Sequence, residues 1–351
     1  MSELRVLKRV KKIDRAAWFG QTTLQKVING VLILLLLACL VPVFKWAVID
    51  AQIRGSERCV TEGACWVFIK VRLLTFAFGF YETHELWRPV FVLSMWTLAL
   101  VTIFRASYNF TLKILPFFIT LLPLLSWGLL DGRWFGLPYI ETAKWGGLLL
   151  SLMITLVSLS MAFPLGLLLA LGRMSRLPLI KAGSVAFIEL WRGVPLIAVL
   201  FMSSVMLPLV LPPGTEVDKL IRVFVGVSLF TSAYLAEVIR SGLNGVPKGQ
   251  GEAASALGLG ARQRLFLVVL PQALQAVIPS LVNSCISLFK DTSLVVVVGM
   301  FDLLGTVQQA NTDPYWLGYS TEGYMFAGLI YWGVCFALSR FSLQLEKVRN
   351  V

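Results

Sequence analysis

The chain has 351 residues, 57% of them hydrophobic and 14% charged, with a mean hydropathy of +0.79. That balance excludes an ordinary soluble domain, and several apolar runs reach bilayer-spanning length, so the chain reads as an all-α polytopic membrane protein. The formal charge of +12 does not point to nucleic acid, because the basic residues sit mainly in the tails and in short loops between apolar runs.

Eight spans are expected, at about 27–44, 89–104, 114–130, 146–171, 184–211, 221–240, 272–299 and 323–340. The first 26 residues carry Arg5, Lys8, Arg9, Lys11, Lys12, Arg15 and Lys26, and no convincing cleavage site follows. The first span therefore reads as a retained anchor with the basic tail inside. Lys and Arg favour the loops on that same side, which puts both termini in the cytoplasm.

Residues 45–88 form the long external loop. Cys59 and Cys65 lie in it and either close a small disulfide loop or remain free thiols. The single histidine, His84, sits between Glu82 and Glu85 and reads as a solvated loop residue. No Cys/His cluster has metal-ligand spacing, so no metal site is expected. Cys39, Cys285 and Cys335 lie in apolar runs and read as packing residues. Residues 131–145, rich in Gly, Pro and aromatics, read as an interfacial linker.

The fourth span carries Ser151, Thr155, Ser158, Ser160 and Gly166, a small polar face suited to close helix packing or to lining a pathway. Pro164 kinks it. In FIELWRGVPLIAVL, Glu189 and Arg192 are three apart and share a helical face, so they can pair, while Gly193 and Pro195 make a break suited to bending. At the end of the sixth span Glu237 precedes Arg240 by three. Either the two pair, or Glu237 is a charge that lines or gates a pathway.

Between the sixth and seventh spans lies EAASALGLGARQRLFLVVLP, Glu252 to Pro271. It is too polar and Gly-rich to cross a bilayer, so it reads as an amphipathic break at the membrane surface. Gly258 would cost about 1 kcal/mol inside a helix and more naturally permits a bend between two short ones. In the seventh span Pro279 makes a kink, and Asn283, Ser284 and Ser287 place polar groups mid-span, where they should face protein or water. Lys290 and Asp291 either interrupt the span as functional charges or mark its end near Leu288. Residues 301–324 read as external, with Asp302, Asp313 and Glu322 and no Lys or Arg; Gln308, Gln309 and Asn311 could contact a partner or the substrate mouth there.

The spacing of Glu252-Ala253-Ala254, Gly258 and Leu270-Pro271 resembles the EAA loop of ATP-binding-cassette importer permeases, in which a coupling helix docks on the ATPase subunit. The runs AYLAEVIRSGLNGVPKGQG and FKDTSL resemble the polar-amino-acid branch of that family. The resemblance covers about residues 141–345. With the three spans before it, the chain resembles the larger, M-type permease of the general L-amino-acid importer of Gram-negative bacteria.

The resemblance implies a type I importer core of five helices at 146–345. A three-span extension at 27–130 and the linker at 131–145 precede it, and cytoplasmic tails at 1–26 and 346–351 flank the whole. It implies that Glu252, Ala253, Ala254, Gly258, Leu270 and Pro271 couple to ATPase subunits. Glu189, Arg192, Glu237, Asn283, Ser284, Ser287, Lys290 and Asp291 become candidates for the substrate pathway or gate. The chain has no G-x-x-x-x-G-K-[ST] loop, so no cofactor is expected on it, and ATP and Mg belong to a homodimer of ATPase subunits. The other implied partners are a second homologous permease, a periplasmic binding protein, an L-amino acid and the lipid of the bacterial inner membrane. The alternative is an ion- or proton-coupled secondary transporter, which would usually show paired internal repeats. No convincing repeat is present, and such a protein would have no use for a coupling loop.

Overall fold

The computed structural model describes residues 23–55, 59, 62–105, 117–212 and 214–349. Most of the basic N-terminal tail, the connection between the second and third expected spans, Pro213 and the last two residues lie outside that set. The described residues are helical, with three isolated β-bridges and no extended strand. The chain divides into two compact units, Met1–Lys70 and Val71–Val351.

In the first unit, α1 (Thr23–Phe44) is apolar on every side and exposed along its length. A helix of that character belongs in lipid. It continues as a π turn, and the span Val27–Ile49 has a mean hydropathy of 2.8. Residues 50–55 and 62–66 then fold back on its end. Gln52 and Ala64 pair through the backbone at 2.9 Å, the Trp66 indole donates to Ala47 O at 2.8 Å, and Cys59 is disulfide-bonded to Cys65. Gly63 is required there, because a Cβ would lie 2.1 Å from Asp50 O. From Trp66 the chain runs as α2 (Trp66–Phe78) into the second unit.

The second unit holds α3 (Trp87–Arg105), α4 (Phe117–Asp131), α5 (Gly147–Arg173), α6 (Pro178–Gly193), α7 (Leu196–Val210) and α8 (Lys219–Gly245). They are followed by α9 (Lys248–Ala256), α10 (Ala261–Val298), α11 (Leu303–Ala310) and α12 (Ser320–Arg349). Among the described residues five helices are long and apolar enough to cross a membrane, or six if the bent pair α6–α7 is one span. The second and third expected spans are α3, of 19 residues, and the shorter α4; both fall outside that set. They belong to the same compact unit as the core, since Val92, Trp96 and Ala99 of α3 and Leu122 and Leu130 of α4 are buried with Leu149, Leu150 and Met153 of α5.

At the centre α5 crosses α8. Gly166 permits it, because a Cβ there would sit 2.9 Å from Leu235 Cβ and 3.0 Å from Ser232 O. Ser151, Thr155 and Ser158 are buried, so the small face of α5 serves packing, the association mode available where lipid is as apolar as the side chains. Gly242 of α8 does the same against α10, with a hypothetical Cβ 2.6 Å from Ala273 O.

Proline shapes the next span. Pro208 has no N–H to give the Ser204 carbonyl four residues back, and the preceding turn, Met202–Met206, is a π turn. The Arg222 guanidinium of α8 donates to the Ser204 oxygen instead.

Candidate functional site

Two ends of the second unit can be distinguished by their elements. One end carries α9, the C-termini of α5 and α8 and the start of α10. The other carries residues 141–146, α11 and the start of α12.

At the first end, Glu252, Ala253 and Ala254 lie on α9. Ala254 is buried, whereas Glu252, Ala253 and Ala256 face outward and Leu257 is 82% exposed. Backbone bonds from Gly258 N to Ser255 O and from Leu259 N to Ala254 O close the helix, and Gly258 sits at φ +79. That is the left-handed cap a glycine supplies without a Cβ penalty. The expected bend at Gly258 is therefore present.

The second half of the stretch is helical and forms the opening turns of α10, so that helix starts at Ala261, ahead of the span expected from about 272. Leu270 and Pro271 lie inside that helix. A π turn over Arg264–Val269 immediately precedes Leu270 and Pro271, and a widened turn absorbs the hydrogen bond that proline cannot make. Arg264 donates to Ser255 Oγ at 2.6 Å, and Gln272 donates to Gln250 Oε1 at 3.3 Å. These bonds tie α9 to the span that follows it.

The same end holds a cluster of charges. Arg173, the last residue of α5, lies 3.0 Å from Glu189 Oε1 on α6 and 2.6 Å from Glu237 Oε1 on α8. Glu237 also pairs with Arg240 at 2.7 Å. The Glu237–Arg240 pair is thus formed, and Glu237 carries a second cation. The expected Glu189–Arg192 pair is not formed. Glu189 turns to α5, while the Arg192 guanidinium lies 5.6 Å from the Tyr234 ring of α8. Sequence spacing missed Arg173 because its two carboxylates come from helices 16 and 64 residues away. The break at Gly193 and Pro195 is real: α6 and α7 meet there at 100°.

Along α10, Ala276, Ser280, Asn283, Ser287 and Lys290 are exposed, and steps of three and four residues place them on one helical face. Ser284 is half-buried and donates to Ser280 O at 3.0 Å. The helix does not stop near Leu288. It runs through Lys290 to Asp291 and tightens into a 3-10 turn over Thr292–Val298. Lys290 has no ion-pair partner among the described residues. A polar stripe and a lone ammonium on a spanning helix are costly against lipid and call for protein or water opposite them.

At the other end, Asp302 is fully buried, although the sequence reads it as an external acid. It caps α11 by accepting from Gly305 N at 2.9 Å. It also accepts from Tyr331 Oη of α12 at 2.6 Å and from Ser151 Oγ of α5 at 3.4 Å. Burial pushes its carboxyl above the usual range. Further out, Lys144 hydrogen-bonds Glu82 at 2.8 Å and holds that carboxyl below its usual range.

Spanning helices packed through small residues, with an exposed helix–glycine–helix junction continuous with the longest of them, define a polytopic helical membrane protein. The sequence matches the family described as binding-protein-dependent transport system inner membrane component over residues 162–347. It is 51% identical over 311 residues to an inner membrane amino-acid ABC transporter permease of Escherichia coli K12, covering 88% of this chain and 85% of the relative. It is 37% identical to the glutamate/glutamine/aspartate/asparagine transport system permease of Rhodobacter capsulatus, covering 81% of this chain and 79% of the relative. The fold aligns with a chain of the crystal structure of an amino acid ABC transporter with histidines, at TM-score 0.52 and 28% identity, over 57% of this chain and 91% of the other. The chain belongs to this family of binding-protein-dependent inner membrane components. The matches lend no support to an ion- or proton-coupled secondary transporter.

Proposed function

We infer that the chain is the membrane-spanning permease subunit of an ATP-driven amino-acid importer of the bacterial inner membrane. The observation that carries this reading is the junction α9–Gly258–α10. It exposes the small residues Ala253, Ser255, Ala256 and Gly258 beside Lys248, Gln250, Glu252 and Leu257, so a partner surface can approach closely along the small ones, and its far side is continuous with a 38-residue span. A push or pull on α9 is thereby delivered to α10.

In this reading Glu252, Ala253, Ala254 and Gly258 form the element that docks on a homodimer of ATPase subunits, which bind ATP and Mg. Leu270 and Pro271 set the turn through which motion enters the span. The end bearing α9 faces the cytoplasm, as do both termini. The polar stripe of α10, with Asn283, Ser287 and Lys290, faces a second, homologous permease across the pathway. Ser284 and Asp291 border it. A zwitterionic amino acid needs donors for its carboxylate and acceptors for its ammonium, and these side chains supply both kinds. A periplasmic binding protein delivers the substrate to the opposite end. ATP binding shifts the permease between outward- and inward-open states only because the ATPase dimer binds one of them better.

The test is purification of the tagged chain from its own cell in mild detergent, with identification of what accompanies it. Recovery of a second permease and an ATPase supports the reading. Recovery of the chain alone, able to move amino acids in liposomes without ATP, contradicts it.

A further inference from the structure

Within that importer reading, on which this inference rests, we propose that Arg173 and Glu189 form a breakable latch. The latch holds α6 against α5 and α8 at the α9 end and keeps ATP hydrolysis low until substrate is delivered.

The geometry supplies the parts. Among the side chains of α6, only Ser184 and Ile188 are buried, so the helix rests on the bundle along a narrow strip. Its C-terminus is a hinge. Gly193 has no heavy atom within 4 Å of a hypothetical Cβ, and the chain turns 100° into α7 across Val194–Pro195. One turn before the hinge, two contacts tie α6 down: Glu189 to Arg173, and Arg192 over the Tyr234 ring.

The cluster is asymmetric in a way that makes one contact easy to release. The Glu189 side chain is 55% exposed, so it regains water at once when it lets go. Arg173 is 24% exposed and would be costly to leave unpaired, but Glu237 stays with it at 2.6 Å. Glu237 in turn keeps Arg240. Releasing Glu189 therefore leaves no buried charge without a partner. Breaking Arg173 from Glu237 instead would leave the part-buried Arg173 with only the exposed Glu189 for a partner. The cluster has one detachable arm, and that arm belongs to the helix that ends at the hinge.

The experiment uses the assembled importer with its binding protein and compares E189Q and E189D with wild type. Three quantities are read: recovery of the complex, ATP hydrolysis without substrate, and the factor by which loaded binding protein stimulates it. The latch predicts normal recovery for E189Q and basal hydrolysis raised by up to about fivefold, the ratio a partly exposed ion pair can hold. The stimulation factor should fall to match. E189D, which keeps the charge, should restore most of the regulation. Wild-type basal and stimulated rates in E189Q would overturn the proposal. So would failure of E189Q to assemble, since that would make Glu189 a structural residue. A wild-type complex that binding protein cannot stimulate would instead count against the importer reading.

Discussion

Replacing Gly242 by alanine tests the packing that carries the charge cluster. A Cβ on residue 242 would lie 2.6 Å from the Ala273 carbonyl oxygen, 2.7 Å from Val277 Cγ1 and 3.2 Å from the Ala273 carbonyl carbon. A carbon needs about 3.3 Å or more from a carbonyl oxygen. No rotamer can relieve the clash, because the obstacle is backbone, so α8 and α10 must part by roughly 0.7 Å or more along that contact. Overpacking of this kind costs about 1–3 kcal/mol, set against up to about 1 kcal/mol gained from replacing a helical glycine. Gly245, three residues on in the same helix, has nothing within 4 Å and is the control. Thermal unfolding in detergent should place G242A below wild type, by about 2–4 °C per kcal/mol, and G245A at or above it. The same parting displaces Glu237 and Arg240 relative to α9, so G242A should also lower substrate-stimulated ATP hydrolysis in the assembled complex. G242A as stable as G245A would refute the reasoning.

Three further outcomes are expected. In Asp302 the folded carboxyl titrates higher than in the unfolded chain, so its contribution is full below the unfolded value and is lost as pH rises through the folded one. Wild type should therefore gain thermal stability relative to D302N as pH falls from neutral towards the ordinary aspartate value of about 3.9, which melting curves over that range will show. R222A leaves the Ser204 carbonyl without its guanidinium, at a cost of about 1–3 kcal/mol. P208A supplies an N–H four residues on, so a double-mutant cycle should find R222A cheaper in the P208A background. G258A places a Cβ in open space but at φ +79, a strain of about 1–2 kcal/mol. Binding of the ATPase measured by titration should weaken, and the melting temperature of the isolated permease should fall by about 2–8 °C.

Much of this was legible in the sequence because it depends on local chemistry. Long apolar runs announced α1, α5, α8, α10 and α12. Gly193 and Pro195 announced the hinge, and Gly258 the turn after α9. What could not be read depends on which helices meet. Glu189 and Arg192 are three apart and share a face, yet α5 draws the one and Tyr234 the other. Arg173 looked like an ordinary positive charge at the end of a span, although it joins three helices. Asp302 looked external because it opens the stretch between the seventh and eighth expected spans, whereas Ser151 and Tyr331 reach it from 151 and 29 residues away. The start of α10 was misplaced because Arg262 and Arg264 lower the local hydropathy, while the helix continues through them.

The most direct test of the central claim is amino-acid uptake into proteoliposomes that hold the complex this chain forms, with ATP supplied on the side of α9. The account predicts uptake that requires ATP and loaded binding protein, and that is lost in G258A at ATPase concentrations saturating for wild type. Uptake of equal rate without ATP, or unaffected by G258A, would contradict it.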